Sequence, residues 1–566
     1  MEAQQPTYNL LEEPWIQVEM LDGRTTKLGL KALFAEAHRI RTISGELTHM
    51  HFATVRLCEA ILYCTYGDPE QGEQGLLTLW REIWELGRFP HEGVAEYLDE
   101  YRDRFDLFGD KPFYQVSGLA YTAADPSPIS AIMPDVPTRL DKTLFSMRSF
   151  RHAGTLAFDE AARYLLVAQG YDTSGIKTPV VGNTHVNKGK VYPPKNMPGT
   201  GWCGGIGGTI VEGENLFQTL MLNWVMVDDR SSRIGLLDID GDFAPWERDD
   251  IGPDMTVAEP AGPIQMLTWQ SRRIRLIPND EGTCVTGVVL CYGDAIRPID
   301  KQGVEMMTPW RKSEAQQKKW ALPYVPWMAR KHDPNRSIWR GLSSLIAYED
   351  SADSGQPDMR PGVIRWVERL ELEGAIDKAM PLSIRAHGME YGTNDSVYAD
   401  GVDDTVSLHA LMLRHDAEAT VKTLEVISQT DRAVGSLIHF VVNVSMSQGD
   451  KRRYGSKGDS AAGASRQDVA TQAYDELDGL FRARIAHLGP NDDVYDYCSL
   501  WLREVHKTLL RIAEDFLSES EVPLFGGGTI PAGRALEQLR RSLNRELGSL
   551  SADTVSTRTL VDEQEQ

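Results

Sequence analysis

VKTLEVISQTDRAVGSLIHFV, residues 421–441, sets Val421, Leu424, Ile427, Val434, Leu437, Ile438 and Val441 at the three- and four-residue spacing of a helix with one apolar face. Three later segments repeat the pattern. Val469, Tyr474, Leu477, Leu480 and Phe481 form one stripe, and Val494, Tyr497, Trp501, Val505, Leu509 and Ile512 a second. Leu536, Leu539, Leu543 and Leu547 form a third. Gly-, Pro- and Ser-rich breaks at 449–465, 489–493 and 523–531 separate them. Four amphipathic segments with such breaks predict an antiparallel four-helix bundle over 403–566. Its polar end, 551–566, is expected to be disordered.

Upstream, residues 1–402 mix patterns and predict a large α/β domain, which makes the chain α+β. A strand is expected at 15–20 and a helix at 53–66, where Val55, Leu57, Cys58, Ile61 and Leu62 share a face. Residues 216–227, 273–277 and 285–292 are rich in Val, Ile and Leu and read as strands, with a turn at 279–282.

The chain has 566 residues and a formal net charge of −23, which argues against a generally basic nucleic-acid binder. No apolar run is long enough to span a membrane, and the start, MEAQQPTYN, lacks the basic and apolar parts of a leader. The six cysteines include no C-x₂-C pair and read as reduced thiols rather than a disulfide framework or zinc site. A cytoplasmic protein is expected.

Against this acidic background, residues 173–211 contain no Asp or Glu, although the chain average would place about six there. The stretch holds Lys177, Lys188, Lys190, Lys195 and His185, and six of the ten residues 199–208 are glycine. Such a loop suits a polyanion, because backbone N–H groups can come close and no carboxylate repels phosphate. The alternative is a surface loop shaped by packing. A second patch, 142–152, sets Phe145 and Phe150 among Lys142, Arg148, Arg151 and His152, a pattern suited to stacking on unpaired bases. A third, 310–340, holds eight Lys/Arg against two acids together with four tryptophans; packing of the tryptophans is the competing reading. A small basic loop lies at 450–459.

Enzyme motifs are weak. Gly199-Thr-Gly-Trp-Cys-Gly204 matches G-x-G-x-x-G but follows a Pro-rich segment rather than a strand. The dipeptides His332-Asp333 and His415-Asp416 lack supporting metal ligands. A nucleotide-binding or metal phosphohydrolase enzyme is therefore the alternative. The leading expectation is no catalytic site, no cofactor and no metal.

The opening Asn9-Leu-Leu-Glu-Glu-Pro-Trp-Ile-Gln-Val18 resembles the start of CasA, the large-subunit family of the type I-E CRISPR surveillance complex Cascade. Residues 111–115, 199–208, 212–216 and 388–396 follow in that family's order, and the form G-x-G-W-x-G is similar to actinobacterial members. The resemblance spans nearly the whole chain. It implies a non-catalytic subunit that recognises the protospacer-adjacent motif (PAM) in double-stranded DNA and promotes strand separation and R-loop formation. It also implies recruitment of a helicase-nuclease. The implied partners are target DNA, the guide RNA 5′ handle, the other Cascade subunits and the helicase-nuclease.

By the same resemblance, the family's glycine loop corresponds to Gly199, Gly201, Trp202, Gly204, Gly205, Gly207 and Gly208, with Lys195 beside it. The family's lysine finger follows a turn similar to Thr286-Gly287-Val288. Counting forward reaches Tyr292 rather than a lysine, which leaves Lys301 and Arg311 as substitutes. The family's strand-separating wedge resembles Gly392, Thr393, Asn394 and Asp395, with Asn394 in place of the usual Gln. The guide-RNA contact resembles Phe145 within Lys142, Arg148, Phe150 and Arg151.

Overall fold

The computed structural model describes residues 6–67, 72–134, 136, 154–226, 241–347, 358–447, 461–519 and 531–548. It combines helices and strands in two compact units, Met1–Val406 and Ser407–Gln566.

The first unit opens on a three-stranded antiparallel sheet. Its strands are β1 (Ile16–Met20), β2 (Thr25–Leu28) and β3 (Ile40–Ile43), with β1 central. Helix α1 (Thr48–Tyr66) runs through the core and buries residues on every side, from His49 to Tyr63. Helix α2 (Phe158–Tyr171) packs beside it. Strand β4 (Gly208–Glu212) leads into helix α3 (Leu216–Asn223). Residues 216–227 were expected to be a strand, and the structure corrects this. The Asn215 side chain caps the helix by accepting from the Gln218 N–H at 2.9 Å. Every residue from Leu216 to Asn223 except Gln218 is buried, so no helical period shows in the sequence.

Strands β5 (Arg272–Pro278) and β6 (Val285–Tyr292) form an antiparallel hairpin. Its turn closes with the Gly282 N–H on the Asn279 carbonyl at 3.0 Å. Strand β7 (Trp310–Lys312) pairs with β8 (Trp327–Ala329) across helix α4 (Glu314–Trp320) and also with Asp358–Met359. Strands β9 (Pro381–Tyr391) and β10 (Tyr398–His409) complete a three-stranded sheet in the order β10-β9-β4. The register between β9 and β4 sets His387 opposite Gly208 and Ser383 opposite Glu212.

The second unit is helical. Among the described residues its long elements are α5 (Glu418–Ser447), α6 (Ala461–His487), α7 (Val494–Glu519) and α8 (Ala532–Glu546), and α5 packs against the other three. The buried face of α5 includes Thr423, Val426, Ile427, Thr430, Val434, Leu437 and Val441, whereas Val421 is exposed. Thr430 belongs to this face because its hydroxyl donates to the Val426 carbonyl and accepts from the Trp501 indole at 3.0 Å. Phe481 meets Trp501 edge-on at 5.2 Å, while Leu480 is exposed rather than part of the stripe. The basic loop at 450–459 and the tail at 551–566 lie outside the described residues. Among those described, no helix is long and apolar enough to cross a membrane.

Candidate nucleic-acid interface

The acid-free stretch begins where α2 ends. Asp172, one residue before it, is buried and provides the negative charge that the stretch lacks. Its carboxylate pairs with Lys177 Nζ at 2.6 Å and with Arg272 Nε. Burial drives the Asp172 carboxyl upward, but the two cations outweigh it and hold it below the usual carboxylate range. Burial lowers the Lys177 ammonium despite its partner. Arg272 also donates to the Gly199 carbonyl at 2.6 Å and to the carbonyls of Asp172 and Thr173. One buried guanidinium thus ties the head of the stretch and the start of its glycine loop to the first residue of β5. His185 pairs with Asp254 at 3.1 Å, while Lys188, Lys190 and Lys195 are exposed.

The glycines pack against the protein itself. A Cβ on Gly201 would overlap the backbone of Gly170 and Tyr171, and one on Gly204 would overlap the Tyr391 hydroxyl. A Cβ on Gly207 would meet the Arg330 carbonyl, one on Gly208 the Phe52 ring, and one on Gly199 the Ser174 side chain. Only Gly205 of the six opens onto free space. The expectation that the whole loop offers bare backbone to a groove narrows to Gly205, which is half-buried between the buried Gly204 and Ile206. Trp202 is buried too. Its indole donates to Glu305 at 2.7 Å, and Glu305 in turn pairs with the buried Arg56 at 2.9 Å. The G-x-G-x-x-G segment forms a 3₁₀ turn, Trp202–Gly205, and leads into strand β4. A dinucleotide loop instead opens a helix after a strand.

Strand β4 makes this loop continuous with the hairpin of β9 and β10. The tip, Thr393–Asp395, is a 3₁₀ turn whose residues are all exposed. Asn394 and Asp395 have φ of 58° and 52°, the left-handed region that Asn and Asp tolerate better than most residues. The Ser174 N–H donates to the Asp395 carbonyl at 2.8 Å, and the Gly392 N–H to the Val397 carbonyl at 2.9 Å. At the base of the tip the Tyr391 hydroxyl donates to the Tyr171 carbonyl at 2.6 Å. Lys331 lies 5.5 Å from the centre of the Tyr391 ring and 3.5 Å from Glu390. The structure therefore brings glycine loop and hairpin tip together.

The three finger positions differ. Tyr292 is buried, donates its hydroxyl to the Gly175 carbonyl at 2.8 Å and has the Arg272 guanidinium 4.9 Å from its ring centre. Burial raises its phenol to about 12. Lys301 is buried, pairs with Glu259 at 2.6 Å and donates to the Ile299 carbonyl. Arg311 is exposed on β7. Lys142, Phe145, Arg148, Phe150 and Arg151 lie outside the described residues.

Beneath the sheet lies a cluster of titratable groups that the sequence analysis missed. His51 of α1 and His387 of β9 are 3.1 Å apart, and His49 meets the Gly388 carbonyl at 2.8 Å. Glu212 lies 3.5 Å from His51, and Arg385 bridges Glu212 and Asp403. His332 meets the Gly208 carbonyl at 3.0 Å. Burial lowers all four imidazoles, His332 to about 4, and raises Glu212. His332 therefore fastens the glycine loop as a neutral ring. At the other dipeptide, Asp416 pairs with Arg414 at 3.1 Å.

The match to known proteins is extensive. The family model described as CRISPR-associated protein Cse1 matches residues 9–514. The crystal structure of Thermobifida fusca Cse1 superposes with a TM-score of 0.85 at 32% identity, covering 96% of this chain and 99% of that one. The CasA/Cse1 protein of Thermus thermophilus is 25% identical over 395 residues, 67% of this chain and 70% of its own length. A chain of a CRISPR RNA-guided surveillance complex shares the fold, with a TM-score of 0.68 at 16% identity, over 95% of this chain and 99% of that one. On the extent of the family match and the Thermobifida superposition together, the chain belongs to the CRISPR-associated Cse1 family, also called CasA.

Proposed function

We propose that this chain is the non-catalytic large subunit of a type I-E RNA-guided surveillance complex. In this reading it recognises the PAM in double-stranded DNA, starts strand separation and serves the helicase-nuclease as a docking platform. The observation that carries the reading is the junction of two parts: an exposed, left-handed turn at 393–395, bonded to the head of an acid-free stretch that ends in the glycine loop. A rigid polar tip beside lysines with no competing carboxylate suits the opening of a duplex held by its phosphates. The exposed Lys195 and Arg311 and the half-buried Gly205 are the candidates for duplex contact. Tyr292 and Lys301 act from inside by positioning the loop.

Docking on the guide RNA 5′ handle is assigned to Lys142, Phe145, Arg148, Phe150 and Arg151 on their sequence pattern. The helical unit is read as an antiparallel four-helix bundle, and the protein as cytoplasmic. Co-purification with the neighbouring subunits tests the assembly: a complex with short guide RNA is expected, and a chain that copurifies with neither RNA nor other subunits refutes it. A mobility-shift assay with PAM-bearing and PAM-less duplexes then tests recognition. Equal affinity for the two duplexes would refute the PAM role.

A further inference from the structure

Residues 311–331 form a ribbon with six basic residues and one acid on a chain of net charge −23. The ribbon is β7, α4 and β8 with the loop between them. Helix α4 has no buried residue, so packing does not account for its composition. Arg311, Lys318 and Lys319 are exposed and make no ion pair among the described residues.

Three aromatic residues share this surface, and a single short loop organises them. Arg297 lies 5.7 Å from the centre of the Trp320 ring. Three residues on, Asp300 accepts from the Tyr324 hydroxyl and the Trp327 N–H, both at 2.9 Å. Lys312 lies 4.2 Å from the centre of the Trp327 ring. Tyr324 is 51% exposed, and both tryptophans are partly exposed. Trp310 and Trp339 of the same sequence patch are buried, so the patch divides into core and surface residues. Each tryptophan thus has a cation beside its ring and keeps part of its surface open to a partner. Unpaired bases between such rings, with phosphates near Arg311, Lys318 and Lys319, match the physical requirements of single-strand binding. A duplex has no free base faces to give.

The ribbon borders the glycine loop. A cleft lined by Pro194, Thr200 and Gly205 of the acid-free stretch and by Met328 and Ala329 of the ribbon joins them. We propose that residues 311–331 bind single-stranded DNA by stacking its bases on Trp320, Tyr324 and Trp327. The choice of DNA over RNA rests on the reading above, in which a duplex opens at the neighbouring hairpin tip. The two glutamines of the helix are already engaged: Gln316 accepts from the Trp320 indole and Gln317 donates to the Leu322 carbonyl.

The test measures binding of the full chain to fluorescein-labelled dT20, the dT20–dA20 duplex and U20. Tighter binding to dT20 than to either competitor is expected, with quenching of tryptophan fluorescence. The Trp320→Ala/Tyr324→Ala variant should lose roughly tenfold or more in dT20 affinity at unchanged melting temperature. Lys318→Glu/Lys319→Glu, which leaves every ring in place, should also weaken dT20 and flatten its salt dependence. Preference for the duplex or for U20, or unchanged dT20 affinity in both variants, overturns the proposal. PAM-dependent capture of duplex by the assembled complex is measured in parallel. Its failure with dT20 binding intact removes the reading above and leaves the platform.

Discussion

The Ser174 N–H donates to the Asp395 carbonyl at 2.8 Å, so a main-chain bond joins the third residue after α2 to the tip of the hairpin. Because the backbone makes it, side-chain changes at the tip leave the attachment in place. Tip chemistry can therefore be varied separately from tip position.

Asn394 is the residue to vary. Its φ of 58° costs an alanine about 1 kcal/mol but a glycine nothing. Asn394→Ala and Asn394→Gly both remove the side-chain amide, and only the first adds strain. If the turn separates strands, both should slow R-loop formation on fully paired target and spare a target whose first pairs are mismatched. Equal slowing on the two substrates, followed by stopped-flow fluorescence, would remove the wedge role.

Gly204 and Gly205 should behave oppositely. A methyl at 204 collides with the Tyr391 hydroxyl and disturbs its bond to Tyr171, an overpacking cost of about 1–3 kcal/mol. A methyl at 205 meets nothing. Thermal denaturation should show a clear drop for Gly204→Ala and none for Gly205→Ala. Gly205→Asp should keep its melting temperature and lose DNA affinity.

Arg272→Met should be among the most damaging substitutions in the first unit. It removes the link between Asp172 and Gly199 and leaves a buried carboxylate with Lys177 alone. Breaking a buried pair of this kind costs about 3–5 kcal/mol. Urea denaturation measures the loss, and an unchanged midpoint would show that the cluster is not structural.

Acid should destabilise the first unit in a defined window. His49, His51, His332 and His387 are neutral in the fold because burial lowers them, whereas an unfolded imidazole takes a proton near pH 6.5. Below that pH the unfolded chain binds more protons, so stability falls as pH drops from about 6.5, and for His332 the fall continues to about 4. Glu212, raised by burial, works in the opposite direction and tempers the loss. Melting temperatures from pH 7.5 to 4.5 should fall, and His387→Gln should flatten the profile.

The sequence was most legible where one face of an element is buried and the other is wet. Ile427, Leu437, Trp501 and Leu543 follow from period alone. Thr430 did not, because a threonine reads as polar until its hydroxyl finds the Val426 carbonyl and the Trp501 indole. Helix α3 was misread because burial on nearly all sides erases the period. In the candidate site the glycines pointed to close approach, but sequence does not say to what, and for five of the six the neighbour is the protein itself. Arg272 carried a readable sign, since two arginines open a strand that is otherwise apolar except for Arg275. Lys177 looked free only because its carboxylate partner lies one residue outside the acid-free window.

That placement of Asp172 bears on ionic strength. With Lys177 neutralised from within and His185 held by Asp254, the stretch presents three exposed cations with no ion pair among the described residues, Lys188, Lys190 and Lys195. Each phosphate neutralised contributes about 0.9 to the slope of log affinity against log salt. The stretch alone therefore sustains a slope no steeper than about −3. If the proposed duplex contact runs through this stretch, contact this sparse would let the chain leave wrong sequences quickly at cellular salt. On the proposed reading, residence on a correct site would then come from the strand exchange that follows.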